Sequence, residues 1–314
     1  MPGLVDLPTN PIPRGTVSGT VRTSDGIDLR FARFPPTRPA TRGTIVLAHG
    51  RAEFIEKYFE IAGDLRRRAF AVAAFDWRGQ GGSTRLLRNP RKGHVRDFED
   101  YVTDLLTIMN EVVLPDCPPP YYLLAHSTGA AVALLAASRL RSQVERMVLT
   151  APLLGLKGLR RARAERLTSL LLYLGLGESF VPGAGSTLLH TRPFQGNKVT
   201  SDSARYARAV AITERDPSLG IGGATIGWLN AAMRASRRMA EPEFAAEVPV
   251  PVLIAIAGAD PIVSNPAIER LSMRLKTGAH VRIPGSRHEI LMEQDKFRDQ
   301  FWAAFDAFIP GRVL

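Results

Sequence analysis

The stretch Tyr121-Tyr122-Leu123-Leu124-Ala125-His126-Ser127-Thr128-Gly129-Ala130-Ala131 runs from an apolar, strand-like segment through a serine and directly into a small-residue helical segment. A strand, a sharp turn and a helix in that order lift the serine Oγ above a sheet edge on a strained elbow. The turn brings two backbones close together, so the positions two before and two after the serine must be small. Gly129 meets this fully, and Ala125 stands where glycine is usual. The serine also opens a helix, whose N–H groups favour developing negative charge. Read alone, the same residues more readily describe a serine capping an ordinary helix.

A serine hydroxyl needs a base, and the base needs a third group to orient it. On this kind of elbow the chain order is serine, acid, histidine. Downstream, the apolar run Pro251–Ala257 ends at Gly258-Ala259-Asp260-Pro261, which puts Asp260 just past a strand. The C-terminal ends of strands are where open α/β sheets place their sites. The run His280–Ile283 leads into Pro284-Gly285-Ser286-Arg287-His288, so His288 lies in the loop after the last strand. Each residue has a plain alternative, a turn aspartate and an exposed loop histidine. Their order and their common position at strand ends favour Ser127, Asp260 and His288 as nucleophile, acid and base. His49, His94 and His190 precede the acid, His280 starts or sits within a strand, and His126 is expected to point away from the nucleophile.

Acyl transfer also needs donors for an oxyanion. The strand-like run Ile45–Ala48 continues into His49-Gly50-Arg51-Ala52-Glu53. The loop after that strand supplies one backbone N–H and the residue after the nucleophile the other, which by position are those of Arg51 and Thr128. His49 reads as a loop-former. This chemistry requires no metal or organic cofactor, and no ligand cluster suggests one.

The elements that must carry these residues follow from periodicity. Strand candidates Thr16–Thr23 and Ile27–Phe34 flank an Asp25-Gly26 turn, a hairpin signal because both turn positions want φ > 0. After them, short apolar runs (Gly43–Ala48, Phe70–Phe75, Tyr121–Ala125, Val144–Thr150, Val250–Ala257, His280–Ile283) alternate with helical segments (Glu56–Arg67, Asp97–Val113, Thr128–Arg141, one near Ala267–Leu275, and Glu293–Phe308). That alternation predicts an α/β fold, a mostly parallel sheet with helices on both faces. It breaks across residues 152–247, which are helical, rich in Arg and Leu, and read as a cap inserted between two strands. The expected organisation is a flexible leader over 1–14, a core over 15–151 and 248–314, and the cap over 152–247.

Bulk properties bound the partners. The one cysteine, Cys117, cannot form an internal disulfide, which fits a reducing cytoplasm. Residues 1–15 hold Pro2, Pro8, Pro11 and Pro13 and no apolar signal-peptide core. The apolar stretch Leu167–Leu176 is about half of the roughly 20 residues a spanning helix needs. A formal charge of +11 describes either a solvated basic surface or attraction to an anionic one. No nucleic-acid motif is present, so peripheral contact with an anionic membrane is the sharper of the two expectations. The cap sharpens it, because Arg160, Arg161, Arg163 and Arg166 precede Leu167, Leu170, Leu171, Leu172 and Tyr173. That segment is either a helix packed on the core or an amphipathic lid.

Several further segments resemble one family. His49-Gly50 with Glu53 and Tyr58, and Asp76-Trp77-Arg78-Gly79-Gln80-Gly81-Gly82-Ser83, resemble the monoacylglycerol lipase and lysophospholipase branch of the α/β hydrolases. Arg91–Val95 through Asp100-Tyr101, Arg205-Tyr206 and Gly222–Trp228 are similar to bacterial lysophospholipases. The resemblance spans about residues 15–310. It implies an α/β-hydrolase fold, Ser127, Asp260 and His288 as triad, and Arg51 and Thr128 as oxyanion donors. It implies a serine hydrolase acting on lipid esters, most simply a lysophospholipase or monoacylglycerol lipase. A small-molecule carboxylesterase, an aminopeptidase-type amidase and a non-catalytic binding protein on the same fold are the alternatives. Epoxide hydrolase or dehalogenase chemistry would need a carboxylate where Ser127 stands.

Overall fold

The first two strands, β1 (Val17–Arg22) and β2 (Asp28–Phe34), form an antiparallel hairpin. The computed structural model describes residues 3–38, 41–191 and 193–310, apart from the His190 side chain. The hairpin loop is longer than a two-residue turn: Thr23 N–H donates to Ile27 O at 2.8 Å. Of the Asp25-Gly26 pair only Gly26 takes a positive φ, +86°. The Asp25 carboxylate instead accepts from Arg78 Nη1 at 2.6 Å.

The sheet continues through β3 (Thr44–Ala48), β4 (Ala71–Phe75), β5 (Tyr121–His126), β6 (Val144–Thr150), β7 (Val252–Ala257) and β8 (Gly278–Ile283). Its order is β1-β2-β4-β3-β5-β6-β7-β8, antiparallel at β1, β2 and β4 and parallel from β4 onward. Every residue of β3, β4 and β7 is buried, as their unbroken apolar runs require when both faces are covered. The edge strands β1 and β8 carry most of the exposed positions.

The helices of the core are α1 (Phe59–Arg67), α2 (Phe98–Ile108), the short α3 (Leu114–Asp116) and α4 (Thr128–Leu140). Those of the inserted segment are α5 (Arg161–Tyr173), α6 (Ser203–Arg215) and α7 (Ile226–Ala240), and α8 (Asn265–Ser272) and α9 (Asp295–Phe308) close the chain. α1 and α9 lie on one face, joined by the Arg298–Asp64 ion pair, and Phe305 of α9 meets Phe70, just before β4, edge-on. α2 and α4 pack together on the other. Two helices anticipated as continuous are broken: a 3₁₀ turn at Ile55–Tyr58 precedes α1, and a π turn at Met109–Val113 follows α2. Side-chain periodicity hardly separates these from α-helix over one turn.

Residues 152–247 contain no strand of the sheet among the described residues, and α5, α6 and α7 make up most of their regular structure. α7 packs against α5 and α2, while α6 lies on the Ile55–Tyr58 turn. Arg205 of α6 binds Glu60 of α1 through two hydrogen bonds, at 2.9 and 2.7 Å, tying the segment to the core.

The leader, expected to be loose, is held where it is described. Asn10 is buried and its Nδ2 donates to Glu56 O at 2.9 Å, while Val5 N–H donates to Glu56 Oε1 at 3.2 Å. Val5 and Leu7 also pack on a small cluster of Phe54, Ile212 and Leu219 that joins core and insertion. Residues 1, 2, 39, 40, 192 and 311–314 and the side chain of His190 lie outside the described residues.

The Asp76–Ser83 turn explains its own sequence. Asp76 Oδ2 accepts from Arg30 Nε at 2.6 Å and from Gly82 N–H at 2.8 Å, and Ser83 Oγ donates back to Asp76 O at 2.6 Å. A Cβ on Gly81 would fall 2.1 Å from the Asp76 carboxyl carbon, and one on Gly82 would fall 2.5 Å from Arg30 Nε, so both positions exclude side chains. This turn sets the floor beneath the loop that follows β3.

Candidate active site

Ser127 caps α4 with φ +51° and ψ −109°, a backbone state that L-residues other than glycine adopt only under strain. The strain is held from several sides: Ser127 N–H donates to Thr150 O at 2.9 Å and Ser127 O accepts from Leu153 N–H at 3.1 Å. A Cβ on Gly129 would lie 2.3 Å from Ala48 O, so α4 can approach β3 only through glycine. Ala125 sits in register with Ala48 and Leu149 and is 1% exposed, so its methyl is buried in the sheet.

Sheet order then brings distant residues together. β7 lies beside β6, and the loop after it delivers Asp260; β8 lies beside β7, and the loop after it delivers His288. His288 Nε2 is 2.9 Å from Ser127 Oγ, and His288 Nδ1 is 2.7 Å from Asp260 Oδ2. Asp260 Oδ1 accepts from the N–H groups of Ile262 at 2.7 Å and Val263 at 3.0 Å. Burial works to raise the Asp260 pKa, but the His288 contact and these two amides outweigh it and hold it below the usual carboxylate value. All three side chains are buried.

The loop after β3 closes over the elbow. A Cβ on Gly50 would meet Glu53 Oε2 at 2.8 Å, His126 Cδ2 at 2.9 Å and Ser127 Cβ at 3.3 Å. Arg51 and Thr128 therefore flank Ser127, and among the described residues neither backbone N–H has a protein acceptor. His49 has the part of a loop-former: its Nδ1 lies 2.7 Å from Gly50 O, and its carbonyl accepts from Trp77 Nε1 at 2.8 Å.

His126 departs from expectation. Its ring does not point away but lies with its centroid 4.9 Å from that of His288 and lines the same cavity. Its Nδ1 is 3.0 Å from Thr150 Oγ1. Burial, opposed by Glu53 and reinforced by His288 and Lys57, holds its pKa down to about 4, against 6.5 for an ordinary histidine. A histidine with a depressed folded-state pKa stabilises the fold fully above its unfolded pKa, and that stability is lost as pH falls from 6.5 toward 4. The gap is worth roughly 3 kcal/mol. Between pH 6.5 and pH 4 the unfolding free energy of the wild type should therefore fall more steeply, by up to that amount, than that of His126→Gln. Equal slopes in urea titrations of the two proteins would show that His126 is not buried in its neutral form.

Sequence reasoning gave no role to the group behind the loop. Glu53 accepts from Gly50 N–H at 2.5 Å, Lys57 Nζ at 2.7 Å and Tyr58 Oη at 2.8 Å, and Lys57 also pairs with Glu289 at 2.7 Å. Burial would raise the Glu53 pKa, yet Lys57 and the nearby histidines hold it well below the ordinary carboxylate range. The four-residue spacing of Glu53 and Lys57 was the available signal, but it reads as a surface pair until the fold buries it.

Above Ser127 lies a cavity of about 600 Å³, within the usual range for small-ligand sites. Leu153, Leu156, Leu189 and Trp228 from the inserted segment supply its apolar wall. Glu289 N–H donates to Val199 O at 2.8 Å, which fastens that segment beside His288.

The family model described as serine aminopeptidase, S33, matches residues 39–295. The chain belongs to this family. It is 29% identical over 283 residues to the probable lysophospholipase L2 of Haemophilus influenzae, covering 90% of this chain and 88% of that protein. It is 32% identical over 283 residues to lysophospholipase L2 of Escherichia coli K12, covering 87% of this chain and 82% of that protein. In three dimensions it is similar to a soluble variant of the Saccharomyces cerevisiae monoglyceride lipase, solved with a substrate analog, with a TM-score of 0.73 and 18% identity over 94% of this chain and 95% of the other. The fold is thus that of the α/β hydrolases, and the chain is a hydrolase.

Proposed function

We propose that this hydrolase cleaves carboxylic esters of monoacyl lipids, lysophospholipids or monoacylglycerols, through a Ser127–His288–Asp260 acyl-enzyme mechanism. The observation that carries the reading is the unbroken contact chain from Ser127 Oγ through His288 to Asp260 at the base of an apolar cavity. His288 Nε2 takes the Ser127 proton as Oγ attacks the ester carbonyl, and Asp260 holds the imidazole with Nδ1 protonated. The Arg51 and Thr128 N–H groups receive the oxyanion, a contribution of about 3–4 kcal/mol per donor in a comparable site. His288 returns the proton to the departing alcohol. Water, deprotonated by the same imidazole, then releases the carboxylic acid and restores Ser127. The relatives named as lysophospholipases support the choice of a lipid ester.

An aminopeptidase-type reading would need a free carboxylate to hold a substrate ammonium. Glu53 and Glu289, which line the cavity, are both bound by Lys57. Esters are therefore favoured over amino-terminal amides, and filled catalytic positions weigh against a silent binding protein. The inserted segment acts in this proposal as a cap. Its helix α5 buries only Ala164 and Thr168, leaving Leu167, Leu170 and Tyr173 exposed beside exposed Arg160, Arg163 and Arg166. Such a surface suits an anionic bilayer. Among the described residues no helix is long and apolar enough to cross a membrane.

One experiment tests both parts. Purified enzyme is given palmitoyl esters of glycerol and glycerophosphoethanolamine, p-nitrophenyl butyrate and an aminoacyl arylamide, with the lipids presented in neutral or anionic vesicles. Monoacyl lipids should be the best substrates, and the protein should sediment more with anionic vesicles. A preference for the arylamide would overturn the ester reading, and equal sedimentation would overturn the electrostatic one.

A further inference from the structure

The guanidinium of Arg51 is left without a task by the acyl-transfer mechanism, which uses only its backbone N–H. Nη2 donates to Gly222 O at 2.8 Å, and the group lies 5.2 Å from the centroid of the Trp228 ring. Nε is buried with no hydrogen-bond partner, and among the described residues no carboxylate pairs with this side chain. Two other buried arginines, Arg30 and Arg78, are compensated, the first by Glu56 and Asp76 and the second by Asp104 and Asp25. Burial without a counter-charge lowers the Arg51 pKa to about 10. A desolvated cation is costly unless paired, and in a cavity wall a ligand can bring the partner.

The surroundings are built around this group. A Cβ on Gly93 would lie 2.3 Å from Arg51 Nη2 and 3.0 Å from Nε, so a glycine there makes the space. Gly93 and Gly222 come from different parts of the chain and are laced together: Gly222 N–H donates to Arg91 O at 2.8 Å, and Thr225 N–H donates to Gly93 O at 3.0 Å. Both segments converge on one side chain, whose own loop abuts Ser127 through Gly50. The two carboxylates on the cavity wall, Glu53 and Glu289, are both turned to Lys57 and not to Arg51, and Lys198 on the same wall adds another cation.

We propose that Arg51 is a specificity determinant, receiving the phosphodiester on the alcohol side of a monoacyl glycerophospholipid while Ser127 attacks the acyl carbonyl. This rests on the ester-hydrolase reading of the same cavity. A planar guanidinium suits phosphate oxygens, and its low hydration makes pairing inside a cavity favourable.

The test compares kcat/KM for palmitoyl-lysophosphatidylethanolamine and monopalmitoylglycerol, both in the same neutral detergent micelles, across wild type, Arg51→Gln, Arg51→Lys and Gly93→Ala. Wild type should favour the phospholipid. In Arg51→Gln the phospholipid value should fall about 10- to 100-fold more than the glycerol ester value, chiefly through KM. Arg51→Lys should restore part of the preference. Gly93→Ala, which displaces the guanidinium without removing it, should shift the ratio in the same direction by less. Parallel losses on both substrates in Arg51→Gln, with an unmoved ratio in Gly93→Ala, would overturn the assignment while leaving the hydrolase reading intact. Should Arg51→Gln not fold, the Gly93→Ala ratio alone decides. Failure of wild type to cleave either lipid would overturn the hydrolase reading and this one with it.

Discussion

Ser127→Ala is expected to lower kcat on a monoacyl ester by about 10⁵-fold or more, with little change in KM or in thermal stability. Ser127 Oγ is the only atom the mechanism lets form the acyl bond, and its loss leaves just oriented water and the oxyanion donors to act. His288→Ala should cost about as much, since the hydroxyl without its base is scarcely nucleophilic. The double variant should be no worse than either single, because the two side chains act as one unit. Asp260→Asn should retain the fold and lose about 10⁴-fold, through the wrong imidazole tautomer. Initial rates on monopalmitoylglycerol, with folding checked by thermal melts, decide the matter. A Ser127→Ala enzyme keeping a tenth of wild-type activity would end the nucleophile assignment, and additive losses in the double variant would separate the serine from the histidine.

Arg30→Met should produce the largest loss of stability, about 3–5 kcal/mol. Arg30 is 1% exposed, and its guanidinium meets Glu56 Oε1 at 2.7 Å, Glu56 Oε2 at 2.8 Å and Asp76 Oδ2 at 2.6 Å. Removing it leaves two carboxylates buried without a cation. Both carry backbone as well: Asp76 Oδ1 accepts from Ile55 N–H at 2.9 Å, and Glu56 Oε1 accepts from Val5 N–H. The damage should thus spread to the leader and to the loop beside Ser127. Arg30→Lys, which keeps the charge but not the fork, should lose less. Urea denaturation gives the comparison, and a loss below about 1 kcal/mol in Arg30→Met would mean that this cluster does not hold the turn together.

Much of this fold was legible because its signals are local. An apolar run as long as a strand, followed by a helical period, repeats along the core, and each run became a strand within about two residues of its expected bounds. The serine elbow was readable from Gly129 and the small residues around it, and the order of Ser127, Asp260 and His288 from their places at strand ends. The inserted segment announced itself by the break in that alternation.

Other features depend on contacts between residues far apart in the chain, and there local reasoning fails. The leader looked loose because its composition is poor in helix or strand signals, yet Asn10 and Val5 find partners on Glu56. The ring of His126 turns toward the cavity because its orientation follows Thr150 at the end of β6 and His288 after β8, neither of which is near it in the chain. Glu53 and Tyr58 stand out in the sequence only through the family resemblance, and Lys57 and Glu289 do not stand out at all, because their joint burial arises only in the fold.

By itself, then, the sequence determined the strand–turn–helix around Ser127, the layered core and the places of Ser127, Asp260 and His288 after their strands, since these are written in neighbouring side chains and backbone propensities. Tertiary structure alone decided which charges are compensated. Burial sets the cost of each charge, and sheet order with the docking of the inserted segment sets its partners. The same guanidinium chemistry is thereby a structural clamp at Arg30 and an unpaired cation at Arg51.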